Sequence, residues 1–204
     1  MNKKFQTLLI IISGPSGVGK TVVAKLLTEK MPILKKVVTC TTRPKRPHET
    51  NKREYVFLSE VGFRQMIKQG AFLEWAQVHG KSYGELYGTP KKEVNKIIAQ
   101  GKVPLLVINV EGALAIKEKG LKSILIFIKP ESLKQIQAHM KSDVASKKRG
   151  NNAEEILLRL HTARKELKLA PKYALRMINK EGKLEETVDK IKAALEKILK
   201  KQYK

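Results

Sequence analysis

Apolar blocks alternate with amphipathic segments along most of the chain. The unbroken apolar run over residues 8–12 predicts a strand that is covered on both faces, and two further buried strands are predicted over residues 105–110 and 123–128. Apolar residues spaced three and four apart predict helices over residues 21–31, 58–69, 91–100, 133–140, 153–169 and 184–198. Shorter strands are predicted over residues 36–41, 72–78 and 176–178. Strands that alternate with helices indicate βαβ units and a mainly parallel sheet.

Two stretches interrupt this alternation, at roughly residues 35–90 and 135–165. The first includes a segment, residues 42–53, that contains two prolines and many charges and therefore predicts a loop. We expect both stretches to be excursions from the core, where moving parts of the molecule are most easily placed.

The length and the cysteine usage narrow the class of protein. A chain of 204 residues predicts one domain, or one domain with inserted subdomains. A single cysteine, Cys40, excludes an intramolecular disulfide and favours a reducing compartment. No apolar run approaches the roughly 20 residues that a membrane-spanning helix needs. We therefore expect a cytoplasmic protein with no membrane partner.

The net charge is strongly positive. Lysine and arginine number 42 against 19 acidic residues, which gives a formal charge of +23. Such a charge raises the affinity for polyanions and leaves a nucleic-acid partner open. The basic residues are spread along the chain, however, and aromatic residues make up only 5%, too few for an obvious base-stacking platform. The pattern therefore favours lysines on solvated faces.

The strongest motif follows the first predicted strand. It matches G-x-x-x-x-G-K-[ST] and consists of Gly14, Pro15, Ser16, Gly17, Val18, Gly19, Lys20 and Thr21. Glycines let backbone N–H groups curl around phosphate oxygens, and the following helix N-terminus adds partial positive charge. Lys20 can reach the β- and γ-phosphates, and the Thr21 hydroxyl can ligate Mg²⁺. The motif predicts binding of a nucleoside triphosphate.

A second group of residues suits a second nucleotide. Arg43 and Arg46 lie three apart in a proline-containing loop, and guanidinium groups can bind phosphate in a bidentate manner. Basic loops are common, so this signal is weak alone. Glu74 lies in a predicted strand, and a buried glutamate can recognise a base with two adjacent N–H donors, as guanine has.

The order of these segments closely resembles the guanylate kinase family. The glycine-rich loop is followed by T-T-R-P-x-R-P, R-x-Y-x-F, F-L-E-W-A-x-V-H-G and Y-G-T, and the resemblance runs from about residue 8 to 198. It implies an α/β fold of the P-loop nucleoside-monophosphate-kinase type: a mainly parallel sheet flanked by helices, a GMP-binding subdomain and a helical lid. It also implies transfer of a phosphate from ATP to GMP, with Mg²⁺, in purine nucleotide metabolism.

The resemblance further implies a division of the chain and a set of site residues. We expect a single domain over residues 1–204, with the core at about 1–34, 91–134 and 166–204, the GMP-binding subdomain at about 35–90 and the lid at about 135–165. The implied contacts to the GMP phosphate are Arg43, Arg46, Tyr55 and either Tyr83 or Tyr87; those to guanine are Thr39, Glu74 and Thr89. The ATP side is implied to be the glycine-rich loop with Asn179 near adenine, while Lys20, Arg149 and Arg159 neutralise the transferring group.

Two segments depart from the family pattern. The family shows an acidic residue, an apolar residue, Asp and x-Gln-Gly, whereas this chain has Val107, Asn109 and Glu111 at the three polar positions. We hypothesise that Glu111 restores negative charge near Mg²⁺ and the base, on the premise that Asn109 and Glu111 share one strand face. Asn109 remains a candidate GMP contact.

The second departure is an apparent insertion that brings a second Tyr-Gly pair into the H-G-x-x-Y-G-T pattern. Tyr87 is favoured for the phosphate because Gly88 and Thr89 follow it, and Tyr83 is the alternative.

Two other functions are alternatives to the predicted kinase function. One is a weakened, guanylate-kinase-like scaffold that binds protein partners, which the lost acidic residues favour slightly and the intact Lys20-Thr21 pair disfavours. The other is a basic P-loop protein that binds nucleic acid. The expected small-molecule partners of the kinase are ATP and GMP or dGMP, and the sequence leaves the oligomeric state open.

Overall fold

The computed structural model describes residues 8–46, 49–51, 54–78, 84–145 and 153–202. Its strands are β1 (Leu9–Ser13), β2 (Leu34–Lys36), β3 (Thr39–Thr41), β4 (Tyr55–Phe57), β5 (Phe72–Val78), β6 (Glu85–Pro90), β7 (Val103–Val107), β8 (Ser123–Pro130) and β9 (Leu175–Asn179). Its helices are α1 (Lys20–Lys30), α2 (Glu60–Lys68), α3 (Lys91–Ala99), α4 (Val110–Glu118), α5 (Leu133–Ala145), α6 (Ala153–Lys168) and α7 (Leu184–Gln202).

The core is a five-stranded sheet in the order β2-β7-β1-β8-β9. All four neighbouring pairs are parallel, and β1 at the centre pairs with both β7 and β8. Every residue of β1 is buried, because helices cover both faces of the sheet. The mainly parallel sheet expected from the sequence is therefore confirmed, and within the described residues this sheet is entirely parallel.

Alternate residues of β1 feed two apolar clusters. Ile10 and Ile12 pack with α1 and α7 on one face of the sheet. Leu9 and Ile11 pack with α3 and α4 on the other face. This arrangement follows from the period of two along a strand, and it fixes the end of β1, where the glycine-rich loop begins, between two helical layers.

A second sheet, with four strands in the order β4-β3-β6-β5, is separate from the core sheet. Its strands β3 and β4 are parallel, while β6 runs antiparallel to both β3 and β5. Helix α2 covers the sheet through the fully buried Phe63, whose ring stacks on Phe72 with centroids 4.5 Å apart. This sheet therefore has a small apolar cluster of its own.

Helices α5 and α6 form a pair with a third apolar cluster. Ile136 and Met140 of α5 are fully buried against Ile156, Leu160 and Ala163 of α6. The pair lies in the 135–165 stretch that interrupts the sequence pattern.

The prediction of one strand over residues 36–41 is wrong. The structure has two strands there, β2 in the core sheet and β3 in the second sheet. The backbone N–H of Val37 still donates to Leu105 O (2.9 Å), and the chain then leaves the core, so that Thr39 pairs with Tyr55. Residues 37–41, which span the change of sheet, are almost all β-branched and look like one strand, so the pattern does not reveal it.

The predicted strand over residues 105–110 also ends differently. Strand β7 stops at Val107, and Val110 begins helix α4, which the sequence pattern did not indicate. Strands β4 and β6 were likewise not predicted. β6 contains Gly88 and ends at Pro90, residues that weaken a strand signal.

No helix within the described residues is long and apolar enough to span a bilayer.

Candidate active site

A cavity of about 970 Å³ lies where the core strands end and the second sheet and the α5–α6 pair converge. Carboxyl ends of parallel strands are the usual ligand-binding edge of an open α/β sheet. The glycine-rich loop lies on one side of the cavity. The opposite side carries Thr39, Arg43, Arg46, Tyr55, Glu74 and Tyr87, all of which the sequence analysis singled out.

The glycine-rich loop is shaped by its contact with strand β8. Gly14 has φ of +139°, and a Cβ there would overlap the carbonyl oxygen of Ile128, so only glycine fits. Helix α1 begins at Lys20. The first turn of this helix offers backbone N–H groups and the positive end of the helix dipole. The Lys20 ammonium donates to Gly14 O (2.7 Å) and Pro15 O (2.8 Å), which places it inside the curve of the loop.

Polar groups from β9 and α5 support the loop from behind. Asn179 Nδ2 donates to Val18 O (3.0 Å), and Gln135 Nε2 donates to Asn179 O (2.9 Å). His139 Nδ1 lies 3.1 Å from Gly17 O. Asn179 Oδ1 is buried and has no hydrogen-bond partner in the described part of the chain. It is therefore an acceptor beside the cavity.

Arg43 and Arg46 share one carboxylate on the opposite side. Arg43 Nη2 donates to both carboxylate oxygens of Glu49 (2.7 and 2.9 Å), and both side chains are more than nine-tenths buried. The backbone N–H of Arg46 donates to Glu49 Oε2 (2.9 Å). Burial alone would raise the pKa of Glu49, but the hydrogen bonds from Arg43 and Arg46 outweigh it and lower that pKa. Glu49 is thus an ionised anchor that fixes the guanidinium of Arg43.

Aromatic rings surround Arg43. Its guanidinium carbon lies 5.6 Å from the ring centroids of both Tyr55 and Phe57, within cation–π range. The ring of Tyr87 meets that of Tyr55 edge-on at 6.0 Å. The Tyr87 hydroxyl donates to Glu85 Oε2 (2.8 Å), and burial raises the pKa of Tyr87.

Glu74 is a buried carboxylate at the floor of this side. It is 3% exposed and accepts a hydrogen bond from Thr89 Oγ1 (2.5 Å). A Cβ at Gly112 would overlap Glu74 Oε2, so the glycine lets the carboxylate approach the first turn of α4, where the helix dipole favours negative charge. Burial raises the pKa of Glu74, and the hydrogen bond from Thr89 partly offsets this.

The premise of the Glu111 hypothesis is wrong. Asn109 and Glu111 do not share a strand face, because Asn109 is the N-cap of α4 and Glu111 lies in the first turn of that helix. Asn109 Oδ1 accepts from the backbone N–H of Gly112 (3.0 Å), a role for which asparagine is well suited. Both side chains nevertheless line the cavity.

Two predicted site residues fall on segments that the structure does not describe. Tyr83 and Arg149 lie outside the described residues. Arg159 is described: it lines the cavity from α6, and its Nη2 donates to Glu155 Oε1 (2.8 Å). Thr21 lines the cavity from the first turn of α1.

Sequence reasoning missed several carboxylates in the cavity region, including Glu49 and Glu166. Glu49 could have been suspected from its position three residues after Arg46, the spacing of a local side-chain contact. Glu166 lines the cavity from the end of α6, and burial raises its pKa to about 7. The positive charge of Lys20 lowers this pKa, and the negative charge of Glu111 raises it further. No local motif marks Glu166, because the fold brings it to the site.

This geometry defines a class of protein. A glycine-rich loop between a buried parallel strand and a helix, with its lysine at a large cavity, is the phosphate-binding site of P-loop nucleotide-binding proteins. A family model described as guanylate kinase matches residues 6–198. The chain belongs to the guanylate kinase family.

Individual relatives agree with this assignment. The chain is 41% identical to a guanylate kinase of Caldanaerobacter subterraneus over 196 residues, which cover 96% of this chain and 89% of the relative. It is 35% identical to a guanylate kinase of Thermotoga maritima over 199 residues, 96% of this chain and 91% of the relative. The crystal structure of guanylate kinase from Anaplasma phagocytophilum superposes with a TM-score of 0.71 at 27% identity, covering 93% of this chain and 85% of that one. The family, fold class and enzyme class predicted from the sequence are confirmed, and the scaffold and nucleic-acid alternatives are not favoured.

Proposed function

We propose that this protein transfers the γ-phosphate of ATP to GMP, forming ADP and GDP. The observation that supports this most directly is the presence of two anion-binding sides in one cavity. The glycine-rich loop and Lys20 lie on one side, and Arg43 with Arg46 lies on the other. A kinase that phosphorylates a nucleotide needs such an arrangement, because donor and acceptor phosphates must be held in line.

The acceptor base would bind at Glu74. Guanine presents two adjacent N–H donors, N1–H and the 2-amino group, and a carboxylate offers two acceptor oxygens at matching spacing. Thr89 holds one of these oxygens in place. Thr39 lies at the same side of the cavity and Asn109 at its edge, so both are within the proposed GMP-binding set.

The acceptor phosphate would bind at Arg43, Arg46, Tyr55 and a tyrosine of the β5–β6 hairpin. Glu49 holds the Arg43 guanidinium before any substrate arrives, which lowers the entropy lost on binding. Tyr87 belongs to this group because its ring contacts Tyr55. Tyr83 stays the alternative.

ATP would bind on the opposite side, over the loop formed by residues 14–21. Lys20 would exchange the carbonyls of Gly14 and Pro15 for phosphate oxygens. Asn179 lines the cavity, and its unpaired Oδ1 would accept from an N–H donor such as the adenine amino group. Arg159 would leave Glu155 and, with Arg149, neutralise the transferring group.

The donor atoms present fit Mg²⁺ bound together with ATP. Thr21 offers a hydroxyl and Glu111 a carboxylate, the hard oxygen ligands that this ion prefers, and both line the cavity. Within the described residues no three His, Cys, Asp or Glu side chains come together as a metal site of their own. When bound, Mg²⁺ would neutralise phosphate charge. This chain would thus hold the ion largely through the nucleotide and water.

The chain's own residues would act by positioning and charge. The attacking oxygen of GMP is already anionic, so transfer needs no general base. Arg43 and Arg46 would aim that oxygen, while Lys20, Arg149 and Arg159 would offset the charge of the transferring group. Closure of α5 and α6 would exclude water and limit wasteful ATP hydrolysis.

We also propose the subdomain roles and the location. The second sheet with α2 would serve as the GMP-binding subdomain, at about residues 35–90, and α5–α6 as the lid, at about 135–165. The residues between and around them would form the core. Cys40 is a free, buried thiol, which supports a role in the reducing cytoplasm.

The test is a coupled assay of ADP release with GMP, dGMP, AMP, UMP and CMP as acceptors. We expect turnover with GMP and dGMP, and a loss of orders of magnitude in Lys20→Ala. Lys25→Ala is the matched control, since Lys25 lies on the same helix with its side chain 75% exposed. Equal turnover with pyrimidine acceptors, or full activity of Lys20→Ala, would contradict the proposal.

A further inference from the structure

Glu85 is a carboxylate on the acceptor side of the cavity that the proposed phosphate transfer does not use. In the β5–β6 hairpin, Glu74 pairs with Thr89, Ala76 with Tyr87 and Val78 with Glu85. Residues two apart on a strand share a face, so Glu85 follows Thr89 and Tyr87 along the face that carries the proposed GMP contacts. Glu85 accordingly lines the cavity.

The family pattern assigns nothing to this position. The H-G-x-x-Y-G-T pattern leaves the residues before the tyrosine open, and this chain has an apparent insertion just there. Glu85 therefore falls at a position that the pattern leaves open, and it places an additional carboxylate where an anionic substrate group would bind.

The hydrogen bond between Tyr87 and Glu85 gives this carboxylate a definite effect. The Tyr87 hydroxyl has one proton and donates it to Glu85 Oε2 at 2.8 Å. A phosphate bound at Arg43 would lie near the same hydroxyl, because Tyr87 and Arg43 line one cavity and flank the same ring: that of Tyr55, 6.0 Å from the ring of Tyr87 and 5.6 Å from the guanidinium carbon of Arg43. The single proton cannot serve both acceptors at full strength.

We propose that Glu85 competes with the phosphate of the acceptor nucleotide for the hydroxyl of Tyr87, and thereby sets the KM for GMP. This inference rests on the proposed GMP phosphotransfer. A carboxylate and a phosphate are both anionic acceptors of charge-assisted hydrogen bonds, so phosphate binding must weaken the bond to Glu85. The competition acts on the phosphate and leaves guanine recognition at Glu74 unaffected.

The central variant is Glu85→Gln, which keeps an acceptor oxygen and removes the negative charge. We expect the KM for GMP to fall about fivefold, with kcat within twofold of the wild type. The Ki of guanosine, tested as a competitive inhibitor, is expected to stay the same because guanosine lacks the phosphate. Glu60→Gln is the matched control: Glu60 is exposed on α2, pairs with Arg64 (2.7 Å), and carries the same charge outside the cavity.

A second pair of variants tests whether the effect passes through Tyr87. In a Tyr87→Phe background the hydroxyl is absent, so Glu85→Gln should change the KM for GMP by less than twofold. Thermal unfolding of each variant would show that the fold is intact.

Several results would overturn the inference. An unchanged or raised KM in Glu85→Gln, an equal fall in Glu60→Gln, a parallel change in the Ki of guanosine, or a full fivefold effect in the Tyr87→Phe background would each contradict it. All of these leave GMP phosphorylation by the wild type standing. Absence of that activity in the wild type would instead refute the proposed function.

Discussion

Replacing Glu74 by glutamine exchanges one oxygen atom for an NH₂ group in a buried pocket and should change which base the protein accepts. The side chain is 3% exposed, and glutamine has nearly the same shape. Its amide oxygen can still accept the hydrogen bond from Thr89 or one from guanine. Its NH₂ group, however, would face a guanine N–H donor where the wild type presents an acceptor.

The magnitude follows from this mismatch. One hydrogen bond to a charged group, worth about 1.5–3 kcal/mol, is lost, and a buried donor is left unpaired at about 1–3 kcal/mol. The sum, about 2.5–6 kcal/mol, corresponds to a loss of roughly 10²–10⁴ in kcat/KM for GMP. IMP lacks the 2-amino group and presents only one of the two donors, so its loss should be much smaller.

The assay compares kcat/KM for GMP and IMP in the wild type and in Glu74→Gln. The ratio of GMP to IMP should fall at least tenfold in the variant. Burial raises the pKa of Glu74, so the wild-type KM for GMP should rise as the pH falls and the carboxyl group takes up a proton. The variant should lack this pH dependence.

The fold of the variant provides the control. Glutamine removes a buried charge, so the midpoint of thermal unfolding should not fall. If kcat/KM for GMP drops less than about tenfold in a folded variant, and the ratio of GMP to IMP stays unchanged, Glu74 does not recognise guanine.

Two further predictions concern stability. Asn109→Ala removes the N-cap of α4 and should lower the free energy of unfolding by about 1 kcal/mol in urea titrations, whereas Asn109→Asp, which keeps the cap, should not; equal losses would argue against the cap. Burial raises the pKa of Glu166 from its ordinary 4.5 to about 7, so its ionised form disfavours the folded state above about pH 7, and the penalty fades as the pH falls toward 4.5. Glu166→Gln should therefore raise the free energy of unfolding at pH 8, by about 1–3 kcal/mol, and have little effect at pH 5; the same change at both pH values would contradict this.

The sequence predicts the core of this molecule well because its signals there are local. A five-residue apolar strand, a glycine-rich turn and Lys20 at the start of a helix lie next to one another in the chain. The central parallel sheet and the triphosphate side of the cavity follow from them. Element bounds in the core shift by a few residues, as expected for helix ends and strand ends.

The second sheet is harder to predict because its strands are short and their partners distant. Thr39 pairs with Tyr55 and Cys40 with Gly88, contacts that no local period encodes. Helix α4 did carry a usable signal, since Asn109 is a good N-cap three residues before Gly112. The apolar run that precedes it concealed this signal.

The acidic side chains of the site are also only partly predictable from the sequence. Glu49 contacts Arg43 and Arg46 from nearby in sequence, whereas Glu166 reaches the cavity only through the packing of α6. A raised pKa at a glutamate depends on burial by distant segments, so sequence patterns alone do not identify it.

In the proposed reaction, one cavity holds both nucleotides at once, with their phosphates facing each other. Calorimetry with an analogue that joins adenosine and guanosine through a chain of phosphates tests this most directly. We predict one analogue per protein chain and a dissociation constant at least tenfold below that of ATP or GMP alone, because the second half binds without a new loss of translational freedom. Affinity no better than that of ATP, or two analogues bound per chain, would contradict the claim.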